Sequence, residues 1–489
     1  MTLHVEEVPQ RDIGSQDITP EHERQAQFTS HDADYLFGDP ANSPKGERYP
    51  ELTVTSTSTE AIPPQRDDPA YDLQWTSDEN PFSVRPEWTV EPTTDSIILT
   101  LKAFIDQSKH YSVQHLWDGA CNKIYSVSYE QKHYVMRVAL PVCPKIKTES
   151  EVATLEWIRE NTRLPVPKVK CYDSSRNSPV GFEWILMDRI DGLPLSQCWQ
   201  AVTRDAKERI VKQIAEYATT AFKRQFEGIG NIYPPKSHTP VSRPLVGEMW
   251  TKCRLRLVIA ELGSKMQDAT SEGHCQTATK MFNLANRLLE LGGRFFPTPE
   301  FDPNRELAHE DKESTDEVED QGFIDKRKEP HEPTVLWHDA ISLDNILVDE
   351  NGMLCGVIDW ACVSCLPLYE ACQFPAFLQQ ARDRQVEPLT PHGVAQKQPD
   401  SKDILIYERR LRQHELTLLR QLFINEMMDR CPEWVHIFES QKELRDYEAA
   451  VQNCDNEFAY KAVERWVDIV EKGAVPSEVP WTLHERLMG

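Results

Sequence analysis

The sequence predicts an α+β fold, β-rich over residues 96–190 and mostly helical over 191–380. Three observations carry this reading. Two β-rich runs, KIYSVSY (123–129) and HYVMRVAL (133–140), flank a short polar turn and read as a hairpin. Long helical periodicities occupy 204–225, 277–292 and most of 404–472. Between the helical blocks, ILV and MLCGVI flank Asp349-Glu350-Asn351-Gly352, a second hairpin signal, because Asn-Gly accepts the positive φ that a tight turn needs.

Residues 1–95 are dense in Pro, Ser, Thr, Asp and Glu without a sustained period, and are expected to be a mostly disordered arm. Its Trp75, Phe82 and Trp88 are exceptions expected to dock on the body just before residue 97. From Ser96 a helix-like ILTLKAFIDQS precedes the first hairpin. TESEVATLEWIRENT then puts Val152, Leu155 and Ile158 on one helical face, with acids in the first turn where the helix dipole favours them. Two strands follow, VKCYD and FEWILMDRI, the second running into a loop with Asp191 and Gly192. Beyond the helical segments of 200–300, an acidic run, HEDKESTDEVEDQ, marks a solvated insertion over 305–332. A polar linker (381–403) separates this region from a C-terminal helical extension (404–489).

A net charge of −25 argues against nucleic acid and anionic membrane as partners, since both would be repelled. No stretch has the roughly 18 or more apolar residues of a membrane span, and the N-terminus lacks the pattern of a secretory signal, so a cytoplasmic protein is expected. The 12 cysteines then read as reduced thiols. Among the clustered Cys355, Cys362, Cys365 and Cys372, only the middle two have zinc-knuckle spacing, and small buried hydrophobes are the preferred reading.

The chemistry concentrates in VLWHDAISLDNILVDENGMLCGVIDW (335–360). Its hairpin places Asn345 at the entrance and Asp359 at the exit, so an amide oxygen and a carboxylate meet at one end of the ribbon. A magnesium ion bridging nucleotide phosphates needs that pair. In the kinase loop pattern H-x-D-x-x-x-x-N the Asp handles the acceptor hydroxyl and the Asn binds the metal. His338 and Asn345 keep the separation of seven, but the Asp position holds Ala340.

With TESEVATLEWIR, LPVPKV, GFEWILMDRIDGLPL, ISLDNILVD and GVIDW in order over residues 97–380, the chain resembles the aminoglycoside phosphotransferase family of the kinase-like superfamily, in its large fungal branch. The resemblance implies a bilobal protein-kinase-like fold, ATP and Mg²⁺ as cofactors, and phosphoryl transfer to an unidentified small-molecule hydroxyl. Gly119 to Asn122 would form the turn over the nucleotide. Arg137 would contact phosphates and pair with Glu151. Phe182 to Asp188 would supply the hinge, its backbone reading adenine while Ile185 and Met187 wall the pocket. Asn345 and Asp359 would hold the metal, and His338 would brace the loop.

Two departures qualify this. Ala340 stands at the family's catalytic Asp, and Ala361 where a second acid is common; alanine neither accepts a proton nor binds a metal. Asp339 is adjacent, but on an extended loop its side chain would point away from that of residue 340. Three readings stay open: an impaired phosphotransferase, a nucleotide-binding pseudokinase with a protein partner, and an interaction domain with a defunct ATP site.

Overall fold

The structure, a computed structural model, describes residues 73–77, 84–234, 247–268, 272–296, 332–379, 383–389 and 401–473, together with Leu483 and Leu487. Most of the expected N-terminal arm, with Phe82, and nearly all of the acidic insertion lie outside the described residues.

The end of the arm docks on the small lobe. Strands β1 (Leu73–Ser77) and β2 (Val84–Trp88) pair as an antiparallel hairpin. Trp88 meets Phe182 edge-on at 4.9 Å, with the Lys123 ammonium 5.7 Å from its centroid. Helix α1 (Thr94–Phe104) begins at a capping box, the Ser96 N–H donating to Thr93 Oγ1 at 3.1 Å, which satisfies an otherwise orphaned helical donor.

Strands β3 (Ser112–Asp118), β4 (Asn122–Tyr129), β5 (Lys132–Ala139), β6 (Val169–Asp173) and β7 (Glu183–Asp188) form one antiparallel sheet in the order β3-β4-β5-β7-β6. Glu130 and Gln131 turn β4 into β5 with φ of 49° and 59°, the doubly positive pattern of a two-residue hairpin turn. Because side chains alternate along a strand, Met136, Val138, Trp184 and Leu186 form one face against Ile97 and Leu101 of α1. Val135, Ile185 and Met187 form the other face, against Val152 of helix α2 (Ile146–Asn161). Arg137 belongs to this second face, and a one-residue slip of β5 would turn it away from α2.

The large lobe starts at β8 (Leu193–Pro194), helix α3 (Leu195–Cys198), helix α4 (Arg204–Phe222) and β9 (Phe226–Glu227), followed by helices α5 (Gly247–Asp268) and α6 (Glu272–Phe295). Strands β10 (Pro333–Trp337), β11 (Ile346–Val348), β12 (Leu354–Val357) and β13 (Ser364–Pro367) make two small sheets, β12-β11-β8 and β13-β10-β9. Short helices α7 (Leu368–Ala371) and α8 (Ala376–Gln379) lead to α9 (Ser401–Arg430), α10 (Pro432–Ser440), α11 (Lys442–Asn453) and α12 (Tyr460–Glu471).

The C-terminal helices are not an appendage. Leu416, Leu419, Phe423 and Met427 of α9 recur every three or four residues, and that stripe joins Ile210 and Ile214 of α4 in the main core of the lobe. The polar linker sets these helices apart in sequence, and the apolar stripe of α9 is buried against α4. Helices α5, α6, α11 and α12 enclose a second core around Leu255, Leu288, Tyr447 and Trp466. Cys365 and Cys372 are buried among the apolar side chains of the main core.

Candidate active site

Arg137 and Glu151 meet inside the small lobe. The Arg137 guanidinium lies 2.6 Å from Glu151 and 3.3 Å from Asp359, which enters from the large lobe. The first two side chains are 8% and 4% exposed, whereas Asp359 is 52% exposed. Burial opposes the charge on Arg137, but the carboxylates of Glu151 and Asp359 outweigh it and raise its pKa above the ordinary arginine value. Burial likewise pushes the Glu151 carboxyl up while Arg137 pulls it down. The buried Nε of Arg137 has no protein acceptor. Such an atom is costly unless a ligand oxygen takes its hydrogen.

The β11–β12 hairpin brings the predicted metal-site pair together. The Ile358 N–H donates to the Asn345 carbonyl at 3.0 Å, closing the ribbon so that residues 345 and 359 share one end. The Asn345 side-chain amide donates to the Ala340 carbonyl at 2.9 Å, so its Oδ1 remains as an acceptor. Asp359 has φ of 64°, a left-handed conformation that costs a non-glycine residue roughly 1–3 kcal/mol and persists where the surroundings impose it. One amide oxygen and one carboxylate suit a magnesium ion that takes its remaining ligands from water and phosphate. Among the described residues no group of three or more His, Cys, Asp or Glu could hold a metal without such help.

His338 is buried and locked. Its Nδ1 accepts the Ala340 N–H at 3.2 Å, which puts the ring proton on Nε2, facing the Ile358 carbonyl at 3.5 Å. The ring packs edge-on against Trp360 at 4.5 Å. Burial lowers its pKa, so the neutral ring ties the loop to the segment carrying Asp359.

Residues 339 and 340 lie in a turn, with the Ser342 N–H donating to the Ala340 carbonyl at 2.7 Å. The expectation of opposed side chains assumed an extended loop, and the alternation it relied on does not operate in a turn. The Asp339 carboxyl is 56% exposed and lies 4.0 Å from His338 Nδ1. The protein that packs its other side raises its pKa, against the pull of His338 and of the nearby N–H groups of Asp339 and Ala340.

The expected hinge needs correction. Trp184 to Met187 pair with β5 on one side and β6 on the other, so their backbone groups are spent on the sheet and cannot read adenine. Ile185 and Met187 do sit on the Arg137 face, beside Val152. Gly119 and Asn122 close the β3–β4 turn, the Gly119 N–H donating to the Asn122 carbonyl at 2.8 Å.

One neighbour went unread in the sequence. Lys147, one helical turn before Glu151, donates to Asn122 Oδ1 at 3.2 Å and so links α2 to the glycine turn. Its i,i+4 spacing from Glu151 was the available signal. Cys362, read in the sequence only as one of four clustered thiols, adopts φ of 59° just past Asp359.

A β-sheet lobe and a helical lobe, joined by the contact of Arg137 with Asp359, define a two-lobed architecture of the kinase type. The model of the phosphotransferase enzyme family (APH) matches residues 112–370, more than half of the chain, and the chain belongs to that family. It is 34% identical over 127 residues to a subtelomeric hrmA-associated cluster protein of Aspergillus fumigatus, a match covering 25% of each chain. It is 26% identical over 129 residues to altered inheritance of mitochondria protein 9, mitochondrial, of Meyerozyma guilliermondii, covering 25% of this chain and 21% of that protein. The chain thus spans about a quarter of the length of these curated relatives. The crystal structure of aminoglycoside phosphotransferase APH(4)-Ia is 16% identical, with 78% of this chain and 100% of that one covered and a TM-score of 0.40.

Proposed function

We propose that this protein binds Mg·ATP between its lobes and transfers the γ-phosphoryl group to a small-molecule hydroxyl, in a step slowed by the missing carboxylate at Ala340. The observation that carries the reading is the Glu151–Arg137–Asp359 link, with an unpartnered guanidinium Nε beside a half-exposed carboxylate. Asn345 and Asp359 would hold the magnesium ion, which would neutralise charge on the phosphates. Arg137 would contact those phosphates, with Lys147 and the Gly119–Asn122 turn closing over them. His338 acts as a brace. Residues after Asp188, rather than 182–188, would supply the hinge backbone. The acceptor would enter between the catalytic loop and the helices that follow α4.

Ala340 and Ala361 favour a second reading, a nucleotide-binding regulatory module with a protein partner. The thermal midpoint with and without Mg·ATP tests what both readings share. A ligand confined to the folded state stabilises it by about 2.7 kcal/mol at a hundredfold excess over Kd. The expected result is a Mg²⁺-dependent rise that Asp359→Ala abolishes; no shift at millimolar nucleotide overturns both. Ala340→Asp separates them. A gain of roughly 10²-fold or more in Mg·ATP turnover supports the enzyme, and unchanged binding without turnover supports the module.

Among the described residues no helix is long and apolar enough to cross a membrane. The cytoplasmic location expected from the sequence contrasts with the word mitochondrial in the yeast relatives' names. Imaging the tagged full chain decides between the two.

A further inference from the structure

The loop that lost its carboxylate at residue 340 carries another one residue earlier. We propose that Asp339 is the catalytic base of this protein, its carboxylate taking the proton of the acceptor hydroxyl in place of residue 340. This rests on the Mg·ATP transfer reading above and names the group that completes it.

Four observations converge on it. The 339–340 turn, tightened by the Ser342 N–H on the Ala340 carbonyl at 2.7 Å, removes the alternation that would have sent the two side chains apart. The Asp339 carboxylate lies 4.0 Å from His338 Nδ1, the same nitrogen that accepts the Ala340 N–H at 3.2 Å, so it stands beside the residue in the family's acid position. It is 56% exposed, whereas its neighbour His338 is 1% exposed and has both ring nitrogens engaged, so of the two only Asp339 can meet a substrate. It also lies within electrostatic reach of Asp359 on the large-lobe hairpin and of Glu370 on α7.

The charged and titratable groups facing it are thus His338 on its own loop, Asp359 beyond β12 and Glu370 on α7. Packing by protein raises the Asp339 carboxyl above an ordinary aspartate, which strengthens it as a proton acceptor. In the step itself the acceptor oxygen forms a bond to the γ-phosphorus and the bond from that phosphorus to the β-bridging oxygen breaks, its electron pair leaving with ADP. The hydroxyl proton passes to Asp339 and from there to solvent.

The test uses the full chain with Mg·ATP and water as the acceptor, reading ADP release from pH 5 to 9 and nucleotide binding by thermal midpoint. Wild type is expected to release ADP slowly, at a rate that climbs as Asp339 loses its proton and then levels. Asp339→Asn should keep the nucleotide-induced shift, lose roughly 10²-fold or more in rate and lose the rising limb. Adding Ala340→Asp to that variant should bring the rate to wild type or above and bring back the rising limb. The assignment is overturned if Asp339→Asn stays within about twofold of wild type, if its pH profile is unchanged, or if wild type binds nucleotide yet releases no ADP. Failure to bind nucleotide at all overturns the underlying transfer reading, and the assignment with it.

Discussion

The two halves of the cleft balance their charges differently. Where the lobes meet, the buried Arg137 sits between Glu151 and Asp359. On α7 and α11 the buried carboxyls of Glu370 and Glu448 lie close enough to repel each other. Glu370 accepts from Gln452 at 3.0 Å with one oxygen, and Glu448 accepts from Thr251 with one, yet the second oxygen of each is buried without a partner. Arg254 is the cation that pulls both carboxyls down, and it does not offset their burial and mutual repulsion. The first arrangement keeps a buried cation charged; the second favours the protonated form of its acids.

The largest expected effect comes from breaking the balanced half. Arg137→Met strands Glu151 in the small lobe and should cost about 3–5 kcal/mol in a urea titration, with nucleotide binding lost. Adding Glu151→Leu should recover most of the stability and none of the binding. If the double variant stays as unstable as the single one, the pair is not an isolated buried link.

The seam between the halves comes next. A Cβ at Gly356 on β12 would run into Ile190, just past β7, and approach the Pro165 carbonyl to 3.3 Å. Gly356→Ala should therefore lower stability by about 1–3 kcal/mol, seen as a reduced thermal midpoint, and weaken nucleotide binding by shifting the lobes. An unchanged midpoint would show that Ile190 yields freely.

The smallest effect probes the acid-rich half. Burial raises the carboxyls of Glu370 and Glu448 and pushes Asp455 up to about 6. Raised folded-state values mean that the stabilisation is complete below the ordinary carboxyl range and is lost as pH climbs through the folded values. Stability should thus decline from about pH 5 toward pH 8, by something on the order of 1–2 kcal/mol for each such acid. Glu448→Gln should flatten that decline in chemical denaturation at stepped pH, and an equally steep decline in the variant would refute the assignment.

What the sequence determined alone was local. Two β-rich runs marked β4 and β5, an apolar run marked β7, Asn351-Gly352 marked the turn between β11 and β12, and the seven-residue step from His338 to Asn345 marked the loop. Those signals survive because they are written in neighbouring residues. The pairing of Arg137 with Glu151 came only from family resemblance. Tertiary structure decided the rest. Neighbouring strands on both sides of β7 consumed the backbone assigned to adenine, α4 claimed the stripe on α9, and a turn rather than an extended segment set the direction of Asp339. Each depends on which distant segment arrives to satisfy a hydrogen bond or cover an apolar face, and such partners are fixed by packing over the whole chain.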